Sequence, residues 1–277
     1  MKIHAPAWRQ RPTMLAMPIV DKHPAGSFAW MELATTDQPA AKRFYSDLFA
    51  WAPQDFPYGP DGVYTMFALN GRQTGAAFTM SEAERATGVP PHWQLYVAVD
   101  DADAATNRAA ELGAKVVHPA MDVMTFGRMA VFQDPTGAYF SVWQAGDHKG
   151  MGVWAENGAL CWADLQTRDR DRAMGFYSGL FGWQFDPGKD KDPGGYLHIK
   201  NGEQYIGGVP EPRNLPPGVP PHWLAYILSP DCDAQTARAV ELGGRVLVPA
   251  MTVENQLRFS VLADPQGAVF ALFTPAR

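Results

Sequence analysis

The chain says the same thing twice. Pro90-Pro91-His92-Trp93 returns as Pro220-Pro221-His222-Trp223, and the 55 residues from Pro90 to Gln144 align with Pro220 to Thr274 without a gap, 26 of them identical. Upstream, Phe44-Tyr45-Ser46-Asp47-Leu48-Phe49-Ala50-Trp51 matches Phe176-Tyr177-Ser178-Gly179-Leu180-Phe181-Gly182-Trp183 at an offset of 132 in place of 130. A solenoid repeat spans only ~20–50 residues, so a period this long implies a whole duplicated domain. The 277 residues also suit two domains, each able to bury a core of its own. The changed offset means that copy two has lost two residues, in a loop near 189–195 or in the one ahead of Pro216, where length matters little.

Each copy reads as strand, helix, three strands, and then the same again. In copy one, residues 28–34 form an apolar strand, and Thr35-Thr36-Asp37 followed by Pro39 starts a helix that runs to about Ala50. Its apolar residues Ala41, Phe44, Tyr45, Leu48 and Phe49 fall on one face. Residues 64–69 and 75–79 flank the tight turn Asn70-Gly71. The second half repeats the order with a strand over 93–99, a helix over 103–112 closed by Gly113, and strands over 115–118, 128–133 and 138–144. Asp134-Pro135-Thr136-Gly137 and Asp264-Pro265-Gln266-Gly267 are twin turns before the last strands. These signals divide the chain into an N-terminal arm (1–27), a first domain (28–144), a glycine-rich linker (145–158) and a second domain (159–277). Asp192-Pro193-Gly194-Gly195 reads as a hairpin loop.

A net charge of −6 with scattered basic residues disfavours a nucleic-acid backbone or an anionic membrane as partner. Cys161 and Cys232 have no repeat counterparts, so neither a disulfide framework nor a cysteine metal site is expected, and a cytoplasmic setting is the default. Prolines and arginines interrupt the first 27 residues before a secretion signal or a membrane span can form. Nucleophile-elbow, Walker, dinucleotide-glycine and His-Glu-x-x-His motifs do not occur, which leaves hydride and phosphoryl transfer unsupported.

The doubled βαβββ order, the Phe-Tyr-x-x-Leu-Phe-x-Trp helix, the helix ends Glu111-Leu112-Gly113 and Glu241-Leu242-Gly243, and the Asp-Pro-x-Gly turns together resemble the vicinal oxygen chelate superfamily. That superfamily includes glyoxalase I, extradiol dioxygenases and bleomycin- and fosfomycin-resistance proteins. Within it the chain looks most like two-domain proteins labelled glyoxalase-like or hydroxylase. The resemblance covers residues 28–274 and implies an α+β fold, a tandem pair of domains in which two βαβββ modules curl into a half-barrel cup. It also implies a divalent metal acting as Lewis acid, held from the first, fifth and last strands. Those positions fall on Trp30, Gln94 and Ser141 in copy one and on Trp162, Leu224 and Ala271 in copy two. Indole, leucine and alanine cannot ligate a metal, and lone amide or hydroxyl groups do so poorly, so no cofactor is expected, a displaced divalent metal being the lesser alternative.

Strand alternation places Glu32 on the face of Trp30, and His92 and Tyr96 on the face of Gln94. Glu32 and His92, with Arg128 on the seventh strand, make a candidate acid, base and cation set. Copy two keeps Asp164, His222, Tyr226 and Arg258. A satisfied structural histidine competes with the functional reading at 92 and 222, and a buried pair with Glu32 or Asp164 competes at the arginines. Candidate ligand contacts are Trp30, Tyr64, Phe67, Gln94, Tyr96, Tyr139 and Ser141 in the first cup and Trp162, Asp164, His222, Tyr226 and Arg258 in the second. The first cup is the more polar, with Gln94, Tyr139, Ser141 and Trp143 facing Leu224, Val269, Ala271 and Phe273 of the other copy. Two functions follow. One is a bleomycin-resistance-like protein that binds a small organic ligand in an aromatic cup without the usual metal. The other is a glyoxalase-like lyase, isomerase or dioxygenase using Glu32, His92 and Arg128. A monomer or a homodimer suits either. His118 and His198 stay outside the candidate set.

Overall fold

The computed structural model of the chain describes residues 20, 22–59, 62–187, 195–253 and 257–275. Most of the expected N-terminal arm, and positions 192–194 of the expected hairpin loop, lie outside the described residues. The first copy supplies β1 (Phe28–Thr35), α1 (Gln38–Phe49), β2 (Ala52–Tyr58), β3 (Gly62–Leu69), β4 (Arg72–Thr79), α2 (Glu82–Ala86), β5 (His92–Ala98), α3 (Ala102–Glu111), β6 (Lys115–Val123), β7 (Gly127–Gln133) and β8 (Tyr139–Ala145). The second supplies β9 (Leu160–Gln166), α4 (Arg170–Phe181), β10 (Gln184–Asp186), β11 (Leu197–Asn201), β12 (Gln204–Val209), β13 (His222–Leu228), α5 (Cys232–Glu241), β14 (Arg245–Val253), β15 (Leu257–Ala263) and β16 (Val269–Pro275). Each copy forms one eight-stranded mixed sheet, in the orders β2-β3-β4-β1-β5-β8-β7-β6 and β10-β11-β12-β9-β13-β16-β15-β14. The two modules of a copy meet edge to edge, β1 against β5 and β9 against β13, both antiparallel. This is the tandem half-barrel α+β architecture that the family resemblance implied. No helix among the described residues is long and apolar enough to cross a membrane.

Local chemistry explains the element ends. The four long helices each start on an aspartate, Asp37, Asp101, Asp169 and Asp231, whose side chain accepts from a backbone N–H of the first turn. Strands β2 and β6 are longer than proline-bearing segments would suggest. Both are edge strands, where Pro53, Pro57 and Pro119 withhold no hydrogen bond from a neighbour on the open side. The two missing residues lie between β12 and β13. There a single 3-10 turn at Pro212–Asn214 replaces α2, which settles the location in favour of the loop ahead of Pro216.

Alternation then sorts every strand into two faces. Met31, Leu33, Trp93, Leu95, Phe132 and Phe140 turn toward the helices and are buried. Their counterparts from the second copy join them in one continuous aromatic core between the sheets. The helices cross-connect the copies: α1 packs on α5, and α3 on α4. Phe44, Tyr45 and Phe49 of α1 contact Phe270 of β16 at ring distances of 6.2, 5.8 and 6.0 Å, and Phe140 of β8 meets Phe176, Tyr177 and Phe181 of α4 at 5.8, 5.4 and 6.0 Å. Each such pair adds about 0.5–1.5 kcal/mol beyond area burial.

A reciprocal latch completes the interface. The Tyr45 hydroxyl donates to Asp264 Oδ2 (3.0 Å), and the Tyr177 hydroxyl to Asp134 Oδ2 (2.9 Å). Each tyrosine oxygen also accepts an indole N–H of its own copy, from Trp93 or Trp223, both at 2.9 Å. The other oxygen of each aspartate accepts three backbone N–H groups of its own Asp-Pro-x-Gly turn. The turn motif is thus both a local fold and half of a junction.

Candidate functional site

The faces turned away from the helices form the cups, and each holds one carboxyl gripped by phenols. In the first cup the Tyr96 hydroxyl donates to Glu32 Oε2, and Tyr64 hydrogen-bonds the same carboxyl. The Trp30 indole N–H donates to the Tyr64 hydroxyl at 3.3 Å. Gln94 Nε2 donates to Ser141 Oγ at 3.0 Å one strand away. In the second cup Asp164 accepts from Tyr196 (2.6 Å), Tyr226 (2.8 Å) and the Trp162 indole (3.1 Å), while Leu224 and Ala271 make the wall opposite apolar.

Position explains each arrangement. Register pairs Trp30 with Tyr96 and Glu32 with Gln94 across β1 and β5, and Trp162 with Tyr226 and Asp164 with Leu224 across β9 and β13. Gly208 lies opposite Asp164 in the neighbouring strand, where a Cβ would collide with the Tyr196 hydroxyl; its bare backbone lets that phenol reach the carboxyl.

Burial pushes the Glu32 carboxyl above its ordinary range, against the opposing pull of hydrogen bonds from Tyr96 and Tyr64, and the nearby charge of Glu84 on α2 adds to the rise. Burial likewise raises Asp164 to about 6, although Tyr196, Tyr226 and Trp162 stabilise its anion. The phenols of Tyr96, Tyr196 and Tyr226 are driven well up by desolvation and by the adjacent carboxylates, so they remain donors. A carboxyl in such a setting can hold or release a proton near neutral pH. Glu32 keeps some solvent exposure, whereas Asp164 is only 3% exposed.

Several expected site residues lie elsewhere. Phe67 is fully buried against Tyr45 and Trp51 on the helix face, because its strand parity is opposite to that of Tyr64. Arg128 shares its face with Ala130 and Phe132, away from the cup, and its guanidinium is taken by Asp103 (2.9 Å) and Asp122 (2.5 Å). Arg258 pairs with Asp233 of α5 in the same manner. Neither arginine meets Glu32 or Asp164. His92 and His222 turn Nδ1 to the carbonyls of Pro90 and Pro220, both at 2.9 Å, so the Pro-Pro-His motif closes on itself. Tyr139 is 42% exposed at the start of its strand.

Two cup residues escaped the sequence reading. Tyr196 stands at the 132-residue offset from Tyr64 and was recoverable from it. His148 comes from the linker, which bears no repeat, and lies edge-on to Trp30 at 4.6 Å and to Trp143 at 5.8 Å.

Known proteins carry the same pattern. Residues 27–142 match the profile of the Glyoxalase/Bleomycin resistance protein/Dioxygenase superfamily, and residues 162–273 that of the Glyoxalase-like domain. The protein named "Putative glyoxylase CFP32" of Mycobacterium tuberculosis is 40% identical over 261 residues, spanning 94% of this chain and 99% of its own. The chain belongs to the glyoxalase/bleomycin resistance/dioxygenase superfamily. A second relative, the anthracycline biosynthesis protein DnrV of Streptomyces peucetius, is 35% identical over 259 residues, 89% of this chain and 92% of its own. Among solved structures, the Mn(II)-bound glyoxalase from Novosphingobium aromaticivorans superimposes with a TM-score of 0.62 at 15% identity, covering 91% of this chain and 83% of that one. A 4-hydroxymandelate synthase mutant from Streptomyces coelicolor does so with a TM-score of 0.63 at 13% identity, covering 92% and 94%. These two share the fold.

The superfamily fold implies a divalent metal, and the donor set speaks against one at the usual place. Trp30, Gln94 and Ser141, or Trp162, Leu224 and Ala271, occupy the expected ligand positions. Each carboxyl stands alone among phenols and indoles, and no three His, Cys, Asp or Glu side chains gather into a metal-holding group among the described residues.

Proposed function

We propose that the first cup binds a small, planar, oxygen-bearing aromatic molecule, with Glu32 as its hydrogen-bonding anchor and without a metal at the superfamily's usual position. The supporting observation is the Glu32 carboxyl itself, held by Tyr64 and Tyr96 in a wall of Trp30 and the Gln94–Ser141 pair while retaining solvent access. Aromatic faces supply apolar area with polar edges, which suits a flat ligand. The name of the DnrV relative, an anthracycline biosynthesis protein, points to the same ligand class. The second cup, where Leu224 and Ala271 stand in place of Gln94 and Ser141 and Asp164 is only 3% exposed, serves the fold.

The dihydroxyanthraquinone alizarin is a suitable probe. Wild-type protein should bind it, and Glu32→Gln should weaken binding by roughly ten- to a hundredfold in a calorimetric titration, the effect of losing a hydrogen bond to a carboxyl. Equal affinities for the two proteins would remove Glu32 as the anchor. Protein purified without chelator should carry no stoichiometric zinc, nickel, manganese or iron; finding one whose removal lowers Tm would overturn the metal-free reading.

A second reading is favoured by the raised pKa of Glu32: a lyase or isomerase in which this carboxyl moves a proton to or from the bound molecule. This reading assigns no step to His92, whose Nδ1 meets the Pro90 carbonyl, or to Arg128, which pairs with Asp103 and Asp122.

A further inference from the structure

The segment joining the two domains is fastened across one end of the first cup. His148 N donates to Phe126 O (3.1 Å), and its own carbonyl accepts the Trp143 indole N–H (3.0 Å). Gly146 N and Asp147 N bond Phe126 O and Thr125 O, at 2.8 and 3.0 Å. Beyond it, Met151 N reaches Ala29 O at 2.7 Å, where β1 bulges and frees that carbonyl, and Gly152 N reaches Gln73 O at 2.8 Å. Gly150 makes the approach possible: its φ is +101°, and a Cβ there would stand 2.5 Å from Ala29 O.

This scaffold holds the imidazole of His148 against Trp30 and Trp143, both on the cup face. Its Nε2 is buried and has no hydrogen-bond partner among the described residues. Burial drops the ring's pKa to about 4, with nearby His23 adding to the fall, so the group is a neutral imidazole at physiological pH. A buried polar atom without a partner costs stability. Rigid backbone, aromatic clamp and an orphaned nitrogen together describe a group set in place for something that arrives later.

We propose that His148 is a ligand-binding residue of the first cup, its Nε2 forming a hydrogen bond to an oxygen of the molecule that lies against Trp30. The inference rests on the proposed binding of an oxygen-bearing aromatic molecule there. It makes the linker part of the site and gives the ligand a second polar contact besides Glu32, so a flat molecule with two oxygen functions is held better than one with a single oxygen.

His148→Phe keeps the ring and its contacts with Trp30 and Trp143 but removes the nitrogen. With alizarin as the probe, affinity should fall roughly tenfold, the effect of one neutral hydrogen bond. The Tm of the free protein should hold or rise, because an unsatisfied nitrogen has been replaced by carbon. A variant that binds alizarin as tightly as wild type overturns the role of His148 while leaving the cup as the binding site. A variant whose Tm falls clearly below wild type assigns the ring to the fold and also overturns it. Absence of alizarin binding by wild-type protein overturns the binding proposal and this one together.

Discussion

At the residue scale, the two carboxyls share a phenolic grip but differ in exposure, and Asp164 gives the sharper test. Its folded pKa of about 6 lies above the ordinary value of 3.8. The folded state therefore binds the proton more tightly than the unfolded chain does. The stabilisation is complete below about pH 4 and is lost as pH rises through about 6, a change of roughly 3 kcal/mol. Chemical denaturation of wild type and Asp164→Asn at pH 4.5 and 7.5 should show wild type losing stability relative to the variant at the higher pH; parallel behaviour would mean that the carboxyl is not held as described. The carboxyl positions were legible because alternation alone puts Glu32 beside Trp30 and Asp164 beside Trp162. Phe67 was misplaced when the same parity was not carried across from Tyr64. Arg128 misled for another reason: a cation kept in both copies looks functional, but it is equally needed to bind Asp103 at the front of α3.

At the element scale, the copies differ in the crossing from the first module to the second. In copy one, α2 buries none of its residues and is closed by its own capping box of Ser81 and Glu84. In copy two the shortened crossing is tied down: Arg168 donates to the carbonyls of Pro216 (2.7 Å) and Val219 (2.8 Å), and Arg170 pairs with Glu211 at 3.5 Å. Opening free energy follows such tertiary ties. Amide hydrogen exchange should therefore be faster over residues 82–88 than over 212–219, and the reverse order would show that α2 is held by more than its cap. The strand and helix order was readable from periodicity and turn residues. What could not be read was α2, five residues long with no apolar face, and the length of the edge strands, where openness on one side excuses the prolines.

At the scale of the whole molecule, the helices of each copy are buried against the other, and the aromatic core runs through both. Either half alone, residues 22–145 or 150–277, would expose Phe44, Phe49 and Phe270 or their equivalents and leave a latch aspartate unpaired. Each half produced alone should be aggregated, or folded only in pairs, and the full chain should unfold in a single transition; a soluble monomeric half with native-like near-UV circular dichroism would refute this. The duplication was plain in the sequence, but the contact it creates was not, because Tyr45 and Asp264 lie 219 positions apart and each has a sufficient local explanation. Each copy contributes both a helix tyrosine and a turn aspartate, so the junction is a self-matching surface of the kind that pairs identical domains. Within one chain the match is kept by covalent linkage, so the two cups are free to differ, as Gln94 and Ser141 differ from Leu224 and Ala271.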